Sequence, residues 1–232
     1  MHIPDGFING GTSVGAGVVA AGALSVSVRR TSELLDEKQV PLAGVVSAFI
    51  FAVQMLNFPV ASGTSGHLLG GVLAAVLAGP WMGSICVSVV LVVQALLFAD
   101  GGLSALGLNV VNISLVSAFG GYLLFLALRR ILPRTPSAVV LASGIAAGVG
   151  VVLASFAFTL EYAIGGAGGA SVSTVAAAMI GVHALIGIGE GIITGLTVSS
   201  VLAVRPDLVY GARDLIPAIR IGAGTATATA GR

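Results

Sequence analysis

Apolar residues gather along this chain in seven blocks, at about 10–28, 42–56, 64–79, 81–98, 109–128, 137–159 and 172–203, separated by short polar stretches. Several blocks reach or approach the roughly 20 residues that an α-helix needs to cross a bilayer. The pattern predicts an all-α integral membrane protein of about seven transmembrane helices. Blocks 42–56 and 64–79 are short for full spans. The last is long, about 48 Å if straight at 1.5 Å per residue. Its run Gly187-Ile188-Gly189-Glu190-Gly191 predicts a bend or break. Short or broken membrane helices line a protein-enclosed cavity rather than face lipid.

The polar stretches set the orientation. Arg29, Arg30 and Lys38 follow the first block, Arg129, Arg130 and Arg134 the fifth, and Arg205, Arg213, Arg220 and Arg232 the seventh. These are all 10 Lys and Arg residues, and the spacing puts every one on the same side. The positive-inside rule makes that side cytoplasmic. The N-terminus is then outside and the C-terminus inside. The first charged residue is Asp5, and no basic start precedes the first block, which argues against a cleaved signal peptide. Bulky His2 disfavours trimming of Met1.

Composition agrees. Of 232 residues 56% are hydrophobic and 8% charged, and 34 are glycine. Glycine and alanine let membrane helices approach closely, where packing replaces the hydrophobic effect. The single cysteine, Cys86, lies in an apolar run and reads as a small filler. A net charge of +1 gives no case for nucleic acid. The pattern predicts one membrane domain over 1–205, with a separate N-terminal segment at 1–9 and the helices within 10–203, and a short cytoplasmic tail, 206–232, whose last residues, Gly222 to Arg232, are expected to be disordered.

Few polar groups remain for chemistry. The free amine of Met1, the backbone nitrogen of His2 and its imidazole can close two fused chelate rings on one metal ion. A second imidazole, that of His67, can complete a square that suits Ni(II) or Cu(II). Pro4 and Gly6 argue against helix in Met1–Phe7, and the apolar Ile3, Phe7 and Ile8 favour folding back into the protein. Thr64 or Ser65 is expected to cap a helix beginning near His67, whose N-terminal field would keep the ring neutral. Asp100, in Asp100-Gly101-Gly102, can orient a ligating imidazole from behind or simply cap a turn. Asp5, Asn57, Ser65 and Asn109 are further candidates for supporting contacts around the ion. His183 and Glu190, seven residues apart, fall on nearly one helix face. An ionisable group in the membrane costs roughly 3 kcal/mol and is normally paired or functional. Glu190 reads as the one carboxylate within the spans. Its roles remain open among a supporting carboxylate, a proton site and, preferred, a structural hydrogen-bond network.

The chain has no Gly-x-x-x-x-Gly-Lys-Ser/Thr loop, so it does not hydrolyse ATP by that route, and no His-Glu-x-x-His. No ladder of acidic and basic groups crosses the spans. An enzyme is the least favoured class.

The stretches MHIPDGF at 1–7, MLNFPVASGTSGHLLGG at 55–71, LLFADGGLSALGLN at 96–109 and HALIGIGEGIIT at 183–194 resemble the CbiM/NikM proteins. These are the substrate-binding membrane subunits of energy-coupling-factor transporters for cobalt and nickel. The resemblance covers nearly all of 1–205. It implies a seven-helix fold and a metal held by the Met1 amine, the His2 backbone and ring nitrogens, and the His67 ring. It also implies a prokaryotic cell membrane, no prosthetic group, and Ni(II) or Co(II) as substrate. The implied partners are a membrane coupling protein, two cytoplasmic ATPases and a small separate membrane subunit. Ala43, Ser47, Ala48 and Ala52 form a candidate docking face, with ordinary internal packing as the alternative. The opening His-Ile-Pro-Asp-Gly looks more like nickel-type members, and a square of nitrogens leans the same way; cobalt destined for cobalamin synthesis is the alternative. Readings of other classes are a stand-alone carrier or channel using Glu190, and a membrane scaffold.

Overall fold

The computed structural model describes residues 1–34, 39–56, 58–59 and 65–215. Its helices are α1 (Gly10–Leu34), α2 (Gln39–Gln54), α3 (Gly71–Ala78), α4 (Pro80–Leu97), α5 (Leu106–Ile131), α6 (Pro136–Gly165) and α7 (Val172–Val204). Five of these, α1 and α4–α7, are long and apolar enough to cross a membrane. Large apolar side chains on their outer faces stay exposed, among them Val14, Val18, Leu96, Leu123, Leu160 and Leu196. That is the surface expected of helices whose solvent is lipid. The fold is all-helical and membrane-spanning, as the blocks predict.

Block 64–79 departs from expectation. Its helix, α3, is only eight residues long, and every one of them is buried. Protein surrounds it on all sides, so it serves as a core element. It begins at Gly71, not near His67. Gly70 precedes it at φ 75°, a conformation glycine adopts without strain. The expected cap by Thr64 or Ser65 therefore does not form at His67. Ser65 and Gly66 pair instead with Pro59 and Phe58 in a two-residue antiparallel ladder. Thr64 and the side chain of Ser65 lie outside the described residues.

The expected break at Gly187–Gly191 is also absent, since α7 is one uninterrupted helix of 33 residues. Its glycines serve close packing. A Cβ at Gly187 would stand 2.6 Å from the carbonyl oxygen of Gly148 on α6, and one at Gly191 2.8 Å from that of Gly144. The α6 and α7 backbones touch, as small residues permit in membranes. In α5, residues Val110–Gly120 are wound as a π-helix. That wider winding buries Asn112, Ser114 and Ser117. A hydroxyl network joins α1, α4 and α5. Ser84 donates to Ser27, Ser88 donates to Ser114, and Ser114 donates to the Ser84 carbonyl.

At the end of the bundle opposite the N-terminal segment, Pro206–Leu208 and Tyr210–Leu215 form 3₁₀ turns that fold back on the helices. Arg129 donates to Asp214 at 2.9 Å, and the Arg213 guanidinium lies 4.0 Å from the centre of the Tyr210 ring. Gly222–Arg232 lies outside the described residues. Cys86 is buried, with its thiol 3.6 Å from the Ala43 carbonyl. Ala43 on the small-residue face of α2 therefore meets α4, while Ala48 and Ala52 remain exposed.

Gly187→Leu should cost about 1–3 kcal/mol through overpacking. Gly181→Leu, where an added Cβ meets nothing within 4 Å, should leave the unfolding midpoint unchanged. Thermal unfolding in detergent compares the two.

Candidate functional site

The first nine residues thread into the bundle instead of trailing from it. Met1 and Ile3 have no exposed surface, and His2, Phe7 and Ile8 are buried. Asn109, at the start of α5, reads the backbone of Ile3 as a neighbouring strand would. Its Oδ1 accepts from the Ile3 N–H at 2.7 Å and its Nδ2 donates to the Ile3 carbonyl at 3.2 Å. Gly102 N–H donates to the same carbonyl at 2.8 Å. Pro4-Asp5-Gly6-Phe7 then makes a tight turn, with Phe7 N–H donating to Pro4 O and Gly6 at φ 77°. Asp5 accepts from the backbone and hydroxyl of Ser104. Beyond the turn, Phe7 packs on Phe158 and Tyr162 of α6. Ala167 donates to the Phe7 carbonyl, and Asn9 N–H donates to Gly165 at 2.7 Å.

This docking brings the His2 and His67 rings together, with centroids 4.5 Å apart. His67 Nδ1–H donates to the carbonyl of Leu68 at 2.8 Å, which leaves Nε2 as a bare lone pair. That Nε2 is buried and has no hydrogen-bond partner. Asp100 Oδ1 stands 3.1 Å from His2 Nδ1. It lies off the direction a ring N–H needs, so neither His2 nitrogen has an aligned partner. Burial also strips protons. It lowers the Met1 amine from 8.0 to about 4, against the opposing pull of Asp100. Burial likewise lowers His2, and it holds His67 well below 6.5, helped by the neighbouring amine and His2. The result is a dry pocket of neutral nitrogen donors. Among the described residues no group of three or more His, Cys, Asp or Glu side chains could hold a metal ion. A metal bound here would have to draw on the chain terminus as well as on imidazoles.

Three braces hold the His67 loop. Glu190 of α7 accepts from the Leu69 and Gly70 N–H groups at 2.7 and 2.6 Å, and Gln54 donates to the Leu69 carbonyl at 2.7 Å. The carboxylate also sits at the N-terminus of α3, where negative charge is favoured.

The match to known proteins is broad. Residues 2–208 fit the family described as the CbiM cobalt uptake substrate-specific transmembrane region. The chain belongs to the CbiM family. It is 40% identical over 209 residues to the proposed fused nickel transport protein NikMN of Archaeoglobus fulgidus, covering 90% of this chain and 68% of that one. It is 35% identical to the cobalt transport protein CbiM of Sorangium cellulosum, covering 87% and 88%. A crystal structure of a truncated transition metal transporter superposes with a TM-score of 0.81 at 33% identity, covering 88% of this chain and 99% of that one. The protein is a multi-pass membrane protein of the nickel/cobalt transport family found in prokaryotes.

Within this CbiM-family fold, the residues singled out from sequence separate clearly. Met1, His2 and His67 come together, with Asp100, Asn109 and Glu190 around them. His183 is buried on α7, its Nδ1–H donated to Met179 O at 2.7 Å. Asp5 is exposed and faces Ser104, so it pins the segment and does not support an imidazole. Asn57 and the side chain of Ser65 lie outside the described residues. His67 owes its neutrality to burial, since the helix start is four residues further on.

Several residues were missed. Gln94 is fully buried beside His2, and Gln54 braces the His67 loop. Each is a lone amide in an apolar run, which is the signal that marks them. Glu190 is not the only carboxylate in the helices. Glu161 of α6 accepts from Asn112, and it escaped notice because α6 continues to Gly165, past the expected end at 159. Asp100 is placed by strain, because Ala99 takes φ 53° and lets Asp100 N–H reach back to Gln94 O at the end of α4.

Asn109→Leu should leave the buried Ile3 N–H unsatisfied, at about 1–3 kcal/mol. Hydrogen exchange should then show residues 3–9 losing protection while α4 and α6 keep theirs. Acidification should act on the same segment. The docked bases are neutral and the released ones take up protons, so docking is strongest above pH 8.0 and weakens as pH falls through 8.0 and 6.5 toward about 4. Protection factors for residues 3–9 that rise on acidification would contradict this account.

Proposed function

We propose that this chain is the ion-capturing subunit of an ATP-driven, energy-coupling-factor importer, with Ni(II) as its substrate. The observation that carries the reading is the convergence of buried, uncharged nitrogens: the Met1 amine, the ring of His2 and the bare His67 Nε2. The amine, the deprotonated His2 amide and His2 Nδ1 close two chelate rings, and His67 Nε2 takes the fourth position. Asp100 supports the His2 ring from beside it, and Glu190 fixes the loop that carries His67. Loss of the amide proton leaves a complex of lower charge, which a dry pocket favours. Four nitrogens in a square suit d8 nickel. Co(II) is the second reading, favoured by relatives named as cobalt transport proteins. Glu190 already accepts from two backbone N–H groups, which favours a positioning role over proton coupling in a carrier working alone.

The chain would hand its ion to a membrane coupling protein driven by two cytoplasmic ATPases, with a small membrane subunit assisting. Exposed Ala48 and Ala52 on α2 remain candidates for the docking face.

Purified protein should bind Ni(II) more tightly than Co(II) in calorimetric titration. His67→Ala, or acetylation of the Met1 amine, should weaken binding by at least about 100-fold, and acidification should weaken it in the native protein. Equal binding after either change would remove the assignment.

A further inference from the structure

At the end of the bundle opposite the N-terminal segment, α1 and α4 enclose a small polar cavity of about 50 Å³. Thr31, Gln39, Trp81, Met82, Tyr210 and Arg213 line it, together with the Gly79-Pro80 start of α4. A cavity of about 10–15 Å³ already holds a water, so this one has room for a compact polar group. Three kinds of donor meet there. The N-terminus of α4, a helix of 18 residues, has no side-chain cap. Pro80 lacks an N–H, so the first turn offers those of Trp81 and Met82 at the positive end of the helix. Thr31 is 8% exposed, and its hydroxyl is buried with no hydrogen-bond partner among the described residues. A buried hydroxyl in that state calls for a ligand. The Arg213 guanidinium lies over the Tyr210 ring, 4.0 Å from its centre, and among the described residues it forms no ion pair. Stacking on a ring face leaves its N–H edge for an acceptor. No carboxylate lines the cavity. Glu33 pairs with Arg29 and Arg30, and Asp214 with Arg129. The cavity is thus furnished for an anion.

The same two helices shape what lies beside it. An apolar groove of about 250 Å³ runs between them, lined chiefly by Leu24 and Val28 of α1 and by Ile85, Val89 and Val92 of α4. Val28 and Leu24 stand one and two turns before Thr31, and Ile85 and Val89 one and two turns after Met82. The groove therefore continues the seam at whose end the cavity sits. Val28 and Val89 remain exposed on the lipid-facing surface. Trp81, the chain's one tryptophan, packs edge-on against Phe119 at 4.9 Å and suits the depth of the bilayer interface.

We propose that the α1–α4 seam binds one anionic glycerophospholipid of the cytoplasmic leaflet, its phosphodiester in the polar cavity and an acyl chain along the groove. The positive-inside rule places the arginine-bearing end at that leaflet. Basic pockets between membrane helices on that side draw anionic headgroups. A zwitterionic lipid would bring a cation beside Arg29 and Arg30 instead. Through Arg213 the bound lipid ties α1 and α4 to the 3₁₀ turn that follows α7. The site is separate from the nitrogen pocket, and the proposal stands whether or not that pocket takes Ni(II).

Native mass spectrometry of the purified full chain, titrated in detergent with dioleoyl phosphatidylglycerol, tests this. Dioleoyl phosphatidylcholine and inorganic phosphate form separate arms. One phosphatidylglycerol should be retained per chain, at least about tenfold more tightly than phosphatidylcholine. Arg213→Gln and Thr31→Val should each weaken retention about tenfold. Val89→Trp, which fills the groove and leaves the cavity intact, should weaken it as well. Arg213 and Val89 are exposed, so those two variants should keep the native melting temperature in lipid-free detergent. Equal retention of the two lipids, or native retention in Arg213→Gln, would overturn the proposal. Native retention in Val89→Trp would overturn the groove as the path of the acyl chain. Inorganic phosphate that raises the melting temperature as much as phosphatidylglycerol does would make this a site for free phosphate and overturn the lipid assignment.

Discussion

Everything at this site follows from burying a chain terminus. An α-amine is normally charged at neutral pH, and a charge in a dry interior costs more than the fold can supply. Here burial lowers the amine to about 4 and so favours its neutral form, the form with a lone pair to offer. The protein sustains that state with backbone recognition, not opposite charge. Asn109 presents an amide to the Ile3 backbone, Gly102 adds a second donor, and Gly165 and Ala167 tie down residues 7 to 9. These contacts involve main chain at nearly every step, so they fix where the first two residues lie with little dependence on the segment's side chains. The aromatic contacts of Phe7 with Phe158 and Tyr162 close the far end.

The second half of the site is held from the opposite direction. His67 lies on a non-helical stretch whose carbonyls and N–H groups would be unsatisfied in a membrane interior. Glu190 and Gln54 satisfy them at Leu69 and Gly70. The membrane carboxylate thus repays its desolvation by completing backbone hydrogen bonds that the short α3 cannot complete for itself. This is also why α3 can be short. Buried on every side, it needs no length to cross lipid, only a sound N-terminus, and Gly70 and Glu190 supply that.

How much of this was legible in the sequence divides along physical lines. Long apolar blocks report on lipid exposure, a local property, and so the long helices α1 and α4–α7 could be read from composition and length. The chelating potential of Met1 and His2 is covalent, set by adjacency in the chain, and it too could be read directly. What escaped depends on tertiary partners. Glycines at 187–191 look the same whether they break a helix or admit a neighbour, and only the closeness of Gly148 and Gly144 decides it. Thr64 and Ser65 looked like caps because turn chemistry does not reveal that Glu190, 120 residues away from Gly70, occupies that office. Asp5 seemed a partner for the ion by proximity in sequence, yet a tight turn at Gly6 points it at Ser104. Gln94 and Gln54 carried no marker beyond being lone amides in apolar surroundings.

The straightness of α7 has a consequence for how the two halves communicate. His183 and Glu190 sit two turns apart on one unbroken helix, so the His67 brace and the buried His183 ring share one rigid support. The α6–α7 glycine contact runs alongside this stretch, through Gly148 and Gly144 on one helix and Gly187 and Gly191 on the other. The N-terminal segment is anchored to α5, to the loop before it and to the end of α6. Through Glu190 the position of α7 sets that of the His67 loop, while the segment holding Met1 and His2 takes its position from α5 and the end of α6.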